Sequence, residues 1–190
     1  QIKDVLISNI EAIDRASKFE GGLAGVTTGF KDLDSRTSGF QRSDLIILAA
    51  RPAMGKTAFA LSVALNASIK GKASVMVFSM EMAKEQLGQR LLAMESKVEM
   101  QKLKTGKMER RDWDDVNIAL DTLSRANIYI DDTPGISIME MKSKCRRLKA
   151  EAELDLVIID YLQLMNPEGR SSESRTQEIS VITRNLKLLA

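Results

Sequence analysis

Apolar and polar positions near the amino end follow the period of a helix. Four apolar residues there are spaced four, four and three positions apart: Ile2, Leu6, Ile10 and Ile13. This spacing places them on one stripe of a short amphipathic helix. The glycine-rich stretch at residues 21–25 predicts a flexible connection, so the helix is able to dock away from its own domain. We therefore expect a helix and joint over residues 1–19 and a globular domain over residues 20–190.

From residue 45 onward, short β-rich runs alternate with longer helical periods. Strands are predicted over residues 45–50, 73–79, 127–131 and 154–159. Helices are predicted over residues 56–69 and 84–95, around the stripe of Trp113 and Leu120, after Ser137, and from Ile179 to the end. A polar loop is predicted over residues 166–174. This alternation is typical of an α/β fold with a mostly parallel sheet and helices on both faces.

The predicted helix after Ser137 has clear local signals. Ser137 and Glu140 form a capping box, and Ile136 and Met141 are placed for the hydrophobic staple. Cys145 lies on the apolar stripe of this helix, so we expect a small core residue rather than a nucleophile. Trp113 is expected to be a packing residue of its own helix.

Composition excludes several kinds of chemistry. The 190 residues include no His and one Cys, so neither a Ser-His-Asp triad nor a His/Cys zinc site can be built. The 28 Lys and Arg against 26 Asp and Glu give a net charge of +2, too small to indicate nucleic-acid binding by bulk charge. No apolar run approaches the roughly 20 residues of a membrane span. We expect a cytoplasmic protein with no membrane contact.

A phosphate-binding loop is predicted directly after the first strand. Residues 50–57 match the pattern G-x-x-x-x-G-K-[ST] except at Ala50. In such a loop successive backbone N–H groups face the phosphates. The candidate ATP-binding residues of this loop are Arg51, Pro52, Ala53, Met54 and Gly55. Lys56 would reach the β and γ phosphates, and the Thr57 hydroxyl would ligate Mg²⁺. The alternative is an ordinary strand-to-helix turn that binds no phosphate. Ala50 favours this alternative, because its Cβ would cost about 1 kcal/mol if the first position of the motif needs positive φ.

Acidic residues follow two of the predicted strands. Asp160 ends the apolar run at residues 154–159 and is the candidate for organising the metal. Tyr161 comes next, so a base for the attacking water must come from another strand; Glu81, after the strand at 73–79, is our choice. Each also has a plainer interpretation: Asp160 as a loop cap or partner of a surface Lys, and Glu81 as an exposed first-turn acid.

Four stretches carry a resemblance to a known family. They are residues 28–34 (Thr-Gly-Phe-Lys-Asp-Leu-Asp), residues 39–57 with the phosphate loop, residues 78–82 (Phe-Ser-Met-Glu-Met) and residues 159–165 (Ile-Asp-Tyr-Leu-Gln-Leu-Met). Together they resemble the bacterial DnaB-type replicative helicases, specifically the RecA-like motor domain with the linker helix before it. The similar proteins also carry Ala at the position of Ala50.

The resemblance implies a ring-shaped homohexamer that hydrolyses ATP with Mg²⁺ between subunits and unwinds duplex DNA by moving along single-stranded DNA. It implies Lys56 and Thr57 for phosphate and Mg²⁺, Glu81 as catalytic acid/base, Asp160 for the metal and Gln163 as a γ-phosphate sensor. It makes the amino-terminal helix a linker that packs on the neighbouring subunit, although the helix could equally fold back on its own core. Primase and a helicase loader become candidate partners.

Both ends of the chain look cut, since it begins at Gln1 and stops inside a helical pattern. The resemblance implies a collar domain before the chain, and an arginine finger and most DNA-contacting residues after it. We therefore expect the isolated chain to bind nucleotide better than it hydrolyses it. For DNA, the sequence offers only Arg170 and Arg175 in the loop after Asp160, which could contact phosphates or merely be solvated.

Two other functions stay open from the sequence. One is a RecA-like ATPase that acts in assembly or recombination without unwinding. The other is a small-molecule phosphotransferase, which is disfavoured because no separate substrate-binding lid is apparent.

Overall fold

A computed structural model describes residues 2, 3, 6, 7, 10, 14, 23–165 and 175–190. Its strands are β1 (Val75–Ser79), β2 (Ile128–Asp131) and β3 (Leu156–Asp160). The helices are α1 (Lys31–Thr37), α2 (Lys56–Ile69), α3 (Lys84–Ser96), α4 (Met100–Thr105), α5 (Arg110–Ser124), α6 (Ile138–Ala152) and α7 (Arg175–Leu189), with a 3₁₀ turn at Leu162–Leu164. Two of the helices, α1 and α4, are not predicted by the sequence pattern.

The three strands form one parallel sheet in the order β2–β1–β3. All five residues of the central strand β1 are buried. In the register Phe78 pairs with Asp131 and Ser79 pairs with Asp160, so the carboxyl ends of all three strands meet at one edge. This edge is where ligands bind in open parallel sheets.

Alternate side chains of β1 enter two cores, one on each face of the sheet. Val75 and Val77 pack in a cluster with residues of α2 and α3. Met76 and Phe78 pack in the other cluster with residues of α6 and α7. Helices therefore cover both faces, which confirms the predicted α/β arrangement.

The prediction of a buried strand over residues 45–50 is wrong. In the part of the chain that the structure describes, these residues have no strand partner, and Ile46, Ile47 and Leu48 are 50%, 71% and 45% exposed. Leu45 still packs on the cluster that contains Phe78. An apolar run favours a strand, but a strand forms only where a neighbour satisfies its N–H and C=O groups. Here β3 pairs with β1 alone among the described strands.

The local signals around α6 are confirmed. The Ser137 hydroxyl accepts a hydrogen bond from the Glu140 N–H (3.2 Å), and the Glu140 carboxylate accepts one from the Ser137 N–H (3.0 Å). Cys145 is buried in the core, where burial raises the pKa of its thiol to about 11. A thiol with that pKa is a poor nucleophile, as expected.

The prediction for Trp113 is wrong in part, because half of this side chain is exposed on α5.

The described residues of the amino-terminal segment are helical: Ile2, Lys3, Leu6, Ile7, Ile10 and Asp14. The apolar side chains among them are exposed. Ile13 and residues 15–22 lie outside the described part, so the division at residues 1–19 and 20–190 stays a prediction. No helix in the described ranges has the length and apolarity that a membrane crossing requires.

A buried carboxylate joins the segment before α1 to the rest of the domain. Asp34 accepts hydrogen bonds from the hydroxyls of Thr27 (2.6 Å) and Thr28 (2.7 Å) and from the N–H groups of Thr28 (2.8 Å) and Gly29 (3.2 Å). The Thr28 carbonyl in turn accepts from the Asn66 amide of α2 (3.1 Å). Burial alone would raise the pKa of Asp34, but these four hydrogen bonds outweigh it and hold the pKa below its ordinary value.

This network predicts a pH-dependent stability. Asp34→Asn should lower the free energy of unfolding at pH 7 by about 2 kcal/mol, because hydrogen bonds to the carboxylate are lost. The pKa of Asp34 is lower in the folded state than the value of about 3.9 in the unfolded chain. Its contribution is therefore complete above the unfolded pKa and is lost as the pH falls through the folded pKa. The difference in free energy of unfolding between wild type and Asp34→Asn, measured by urea titration, should therefore become smaller from pH 7 to pH 3.

Asp32→Asn is the matched control, because Asp32 is an exposed acid on the same helix. It should change stability by less than about 0.5 kcal/mol at every pH. A gap between wild type and Asp34→Asn that is constant with pH would contradict the assigned ionisation of Asp34.

Candidate active site

The loop before α2, at residues 50–55, turns tightly at two positions. Ala53 and Gly55 adopt positive φ (63° and 88°), and the Met54 N–H donates to the Arg51 carbonyl (3.2 Å). Ala50 is not among the described residues with positive φ. A Cβ at the first position of the motif is therefore tolerated, and the left-handed strain falls on Ala53 instead. The loop residues Arg51, Pro52, Ala53 and Met54 are all exposed.

The amino end of α2 can accept an anion. Gly55 precedes the helix, and among the described residues no side chain caps it. The first N–H groups of a helix have no acceptor within the helix, and they carry the positive end of its dipole. A Cβ built on Gly55 would meet nothing within 4 Å, so the space beside this turn is open. Phosphate is the type of ligand that such a helix terminus binds.

Lys56 and Thr57, both on the first turn of α2, converge on Asp160 at the end of β3. The Lys56 ammonium lies 2.9 Å from Asp160 Oδ1, and the Thr57 hydroxyl donates to Asp160 Oδ2 (2.5 Å). The Lys56 ammonium also lies 4.1 Å from the centre of the Tyr161 ring, a cation–π distance. Asp160 is buried, with 6% of the residue exposed. The residues predicted for phosphate and metal are thus in direct contact.

The donor set fits Mg²⁺ bound together with phosphate. Thr57 and Asp160 supply two hard oxygen ligands on adjacent elements. In the described ranges no group of three or more acidic or Cys side chains could hold a metal by itself. Mg²⁺ commonly takes one or two protein oxygens and fills its shell with water and substrate phosphates, so two oxygens are sufficient.

Glu81 lies where β1 leaves the sheet, two residues beyond Ser79. The Met80 N–H donates to the Asp160 carbonyl (2.9 Å), which ties this turn to the end of β3. The Ser79 hydroxyl donates to the Met82 carbonyl (2.7 Å) and accepts from the Met82 N–H (3.2 Å). Glu81 is therefore an exposed carboxylate on the same sheet edge as Asp160.

The other three predicted residues follow Asp160 in the sequence. Gln163 lies exposed in the 3₁₀ turn Leu162–Leu164, after the cis peptide bond between Asp160 and Tyr161. Arg175 is the first residue of α7. Arg170 and the rest of the loop at residues 166–174 lie outside the described residues.

Sequence patterns missed two polar residues beside the Glu81 turn. Ser79 is buried at the end of β1, and Asp132 follows β2, where its carboxylate accepts a hydrogen bond from the Lys84 N–H (3.1 Å). The available signal was the position of Ser79 and Asp132: each is polar and stands at or just after the end of a strand that leads to the ligand-binding edge.

Comparisons with known proteins agree with this geometry. The family described as the DnaB-like helicase C terminal domain matches residues 25–190. The replicative DNA helicase DnaB of Geobacillus stearothermophilus is 50% identical over 189 residues, and the replicative DNA helicase DnaC of Bacillus subtilis (strain 168) is 49% identical over 189 residues. Each alignment includes 100% of this chain and 42% of the relative. The chain thus spans about two fifths of the length of these curated relatives.

Solved structures have the same fold. An ATPase domain superposes with a TM-score of 0.91 at 37% identity, over 100% of this chain and 66% of that chain. A DnaB-like replicative helicase, described with its interactions with primase, superposes with a TM-score of 0.85 at 36% identity, over 100% of this chain and 45% of that chain. The family match includes the phosphate loop, Glu81 and Asp160. This chain therefore belongs to the DnaB-like helicase C-terminal domain family.

Proposed function

We propose that the protein is an ATP-dependent replicative DNA helicase and that this chain is its motor domain. The convergence of Lys56 and Thr57 on Asp160, at the carboxyl edge of a parallel sheet, is the observation that carries the proposal. The names of the relatives, which are replicative DNA helicases, support the coupling of this site to duplex unwinding.

The loop and helix terminus bind the triphosphate in this proposal. The N–H groups of residues 55–57 face the phosphate oxygens, and Arg51, Pro52, Ala53 and Met54 form the rest of the loop. The Lys56 ammonium neutralises part of the phosphate charge. Lys56 is 27% exposed in its side chain, so phosphates can compete with the Asp160 carboxylate for its ammonium. Thr57 and Asp160 hold Mg²⁺, which when bound offsets the charge that develops on the phosphate oxygens.

Glu81 accepts a proton from the water that attacks the γ-phosphate. Its carboxylate is exposed on the edge that also carries Asp160, so it can reach a water molecule there. Gln163 senses the γ-phosphate from the 3₁₀ turn that follows β3. The positions of Glu81 and Gln163, shortly after β1 and β3, support both roles.

The assembled protein acts in the cytoplasm in this proposal. We propose a hexameric ring on single-stranded DNA, with Arg170 and Arg175 at DNA phosphates and with primase and a loader as partners. Residues 1–19 act as a linker helix and joint for the domain at residues 20–190. The exposure of Ile2, Leu6 and Ile10 supports packing of that helix on a neighbouring subunit, because large apolar side chains favour burial against a partner.

Removal of the Lys56 ammonium should weaken nucleotide binding itself. Lys56→Ala is expected to raise the Kd for MgATP by at least about tenfold, the equivalent of one charge-assisted hydrogen bond. Equilibrium titration with a fluorescent ATP analogue measures this change. Lys70→Ala is the control, because Lys70 is an exposed residue just after the other end of the same helix. Equal affinities for the two variants would exclude Lys56 from phosphate binding.

Removal of the Glu81 carboxylate should affect hydrolysis and leave binding intact. Glu81→Gln is expected to lower kcat of the full-length protein about a hundredfold or more, as the loss of a positioned base does. The Kd for MgATP should stay within about twofold, because Glu81 contacts water rather than phosphate in this proposal. Glu85→Gln, an exposed acid four residues further on, should behave as wild type. Unchanged turnover in Glu81→Gln would reject the base.

Strand separation distinguishes a motor from an ATPase that only assembles on DNA. The full-length protein should unwind a forked duplex in the presence of MgATP, and Lys56→Ala should abolish unwinding. A fork substrate with a fluorophore and quencher on opposite strands reports the separation. ATP hydrolysis without unwinding would favour a RecA-like assembly or recombination ATPase instead.

A further inference from the structure

The turn that carries Glu81 is hydrogen-bonded to the ends of all three strands. Its first N–H, from Met80, donates to the Asp160 carbonyl of β3. In the middle of the turn, the carbonyl and N–H of Met82 are both hydrogen-bonded to the Ser79 hydroxyl of β1. Its far end, at Lys84, donates to the carboxylate of Asp132, which directly follows β2. We propose that Ser79 and Asp132 are positioning residues for Glu81, a proposal that rests on the catalytic role of Glu81 given above.

The Ser79 hydroxyl is well suited to fix this turn. It is the donor of one hydrogen bond and the acceptor of another, and both go to the backbone of Met82, the residue after Glu81. Ser79 is only 2% exposed, so water does not compete for the hydroxyl. The position of the Glu81 backbone is therefore determined from both sides, by Met80 and by Met82.

Asp132 fixes the other end of the turn. Its carboxylate accepts from Lys84, the first residue of α3, and so holds the start of that helix next to the end of β2. The preceding residue, Asp131, is ion-paired with Lys144 of α6 and belongs to β2. Asp132 thus follows a strand that is ion-paired with α6, the helix on the opposite face of the sheet from α3.

A base must be placed accurately to act on a water molecule. A misplacement of about 1 Å at a reacting group can reduce the rate about a hundredfold. Glu81 is exposed, so its own side chain gains little from packing, and its placement depends on the turn. Loss of the hydrogen bonds from Ser79 or Asp132 should therefore reduce kcat with little effect on the binding of phosphate at Lys56 and Thr57.

The first test removes the Ser79 hydroxyl. In the full-length protein, Ser79→Ala should lower kcat for ATP hydrolysis about tenfold, with the Kd for MgATP within about twofold of wild type. Amide hydrogen exchange without nucleotide should be at least about tenfold faster at Met82, because that N–H loses its acceptor. Wild-type kcat in Ser79→Ala, with faster exchange at Met82, would overturn the proposal by showing a merely structural role.

Ser96→Ala is a closely matched control. Ser96 is also buried, and its hydroxyl likewise donates to a carbonyl (Leu92, 2.7 Å) and accepts from an N–H (Val98, 3.3 Å). It lies at the opposite end of α3 from Lys84. Ser96→Ala should therefore speed amide exchange at Val98 and leave kcat unchanged. A similar fall in kcat for both serine variants would overturn the proposal, because loss of stability would then explain both.

The second test uses Asp132 and separates hydrogen bonding from charge. Asp132→Ala should lower kcat about fivefold to tenfold, whereas Asp132→Asn keeps an acceptor for the Lys84 N–H and should restore most of the activity. Asp132 is partly exposed, so its variants provide a result even if Ser79→Ala fails to fold. Equal losses in the Ala and Asn variants would contradict positioning by this hydrogen bond.

A double variant distinguishes failure of this inference from failure of the proposed function. If Ser79 acts through Glu81, Ser79→Ala should cause no further loss of kcat in the Glu81→Gln protein. A full additional loss there would overturn positioning through Glu81 while leaving Glu81 as the base. Wild-type hydrolysis by Glu81→Gln alone would instead remove the base assignment, and the positioning roles with it.

Discussion

The site depends on the interactions of the Asp160 carboxylate with Lys56 and Thr57. One of its oxygens faces the Lys56 ammonium and the other accepts the Thr57 hydroxyl. These contacts join the first turn of α2 to the end of β3, and Thr57 and Asp160 are separated by 103 positions in the sequence. A buried carboxylate is costly unless it is paired and hydrogen-bonded, and here both oxygens have a partner. The same arrangement brings a cation and two oxygen ligands to one point, as phosphate and Mg²⁺ require.

The parallel sheet makes this convergence possible. Because β1, β2 and β3 are parallel and in register, the residues that follow each strand lie at the same edge of the sheet. Asp160, the Glu81 turn and Asp132 all come from strand ends for this reason. The two cores, on opposite faces of the sheet, hold the strands in place and leave this edge free to carry polar groups.

The polar residues before α1 have a structural role in this chain. Thr27, Thr28 and Gly29 surround the Asp34 carboxylate, and Asn66 of α2 binds the Thr28 carbonyl. The segment at residues 28–34, which carried part of the family resemblance, is thereby connected to α2, the helix that follows the loop at residues 50–55. It supports the site through α2 without taking part in it.

The local features of this protein were determined by its sequence. The bounds of α2, the capping box of α6, the buried Cys145 and the strand-end positions of Asp160 and Glu81 follow from helical and strand periods and from the residues next to them. These features depend on short-range rules, so a single sequence is enough to predict them.

Only the tertiary structure decided what lies beside each element. Residues 45–50 have the composition of a buried strand, but strand formation needs a hydrogen-bonding neighbour, which composition does not encode. Trp113 has helical spacing but only half of its surface is covered, and the strained loop residue is Ala53 rather than Ala50. The contact of Asp132 with Lys84 likewise depends on the order of strands in the sheet, because β2 lies next to β1. Residues that are far apart in the sequence come together through packing, and the periodicity of a single sequence does not predict which of them will be in contact.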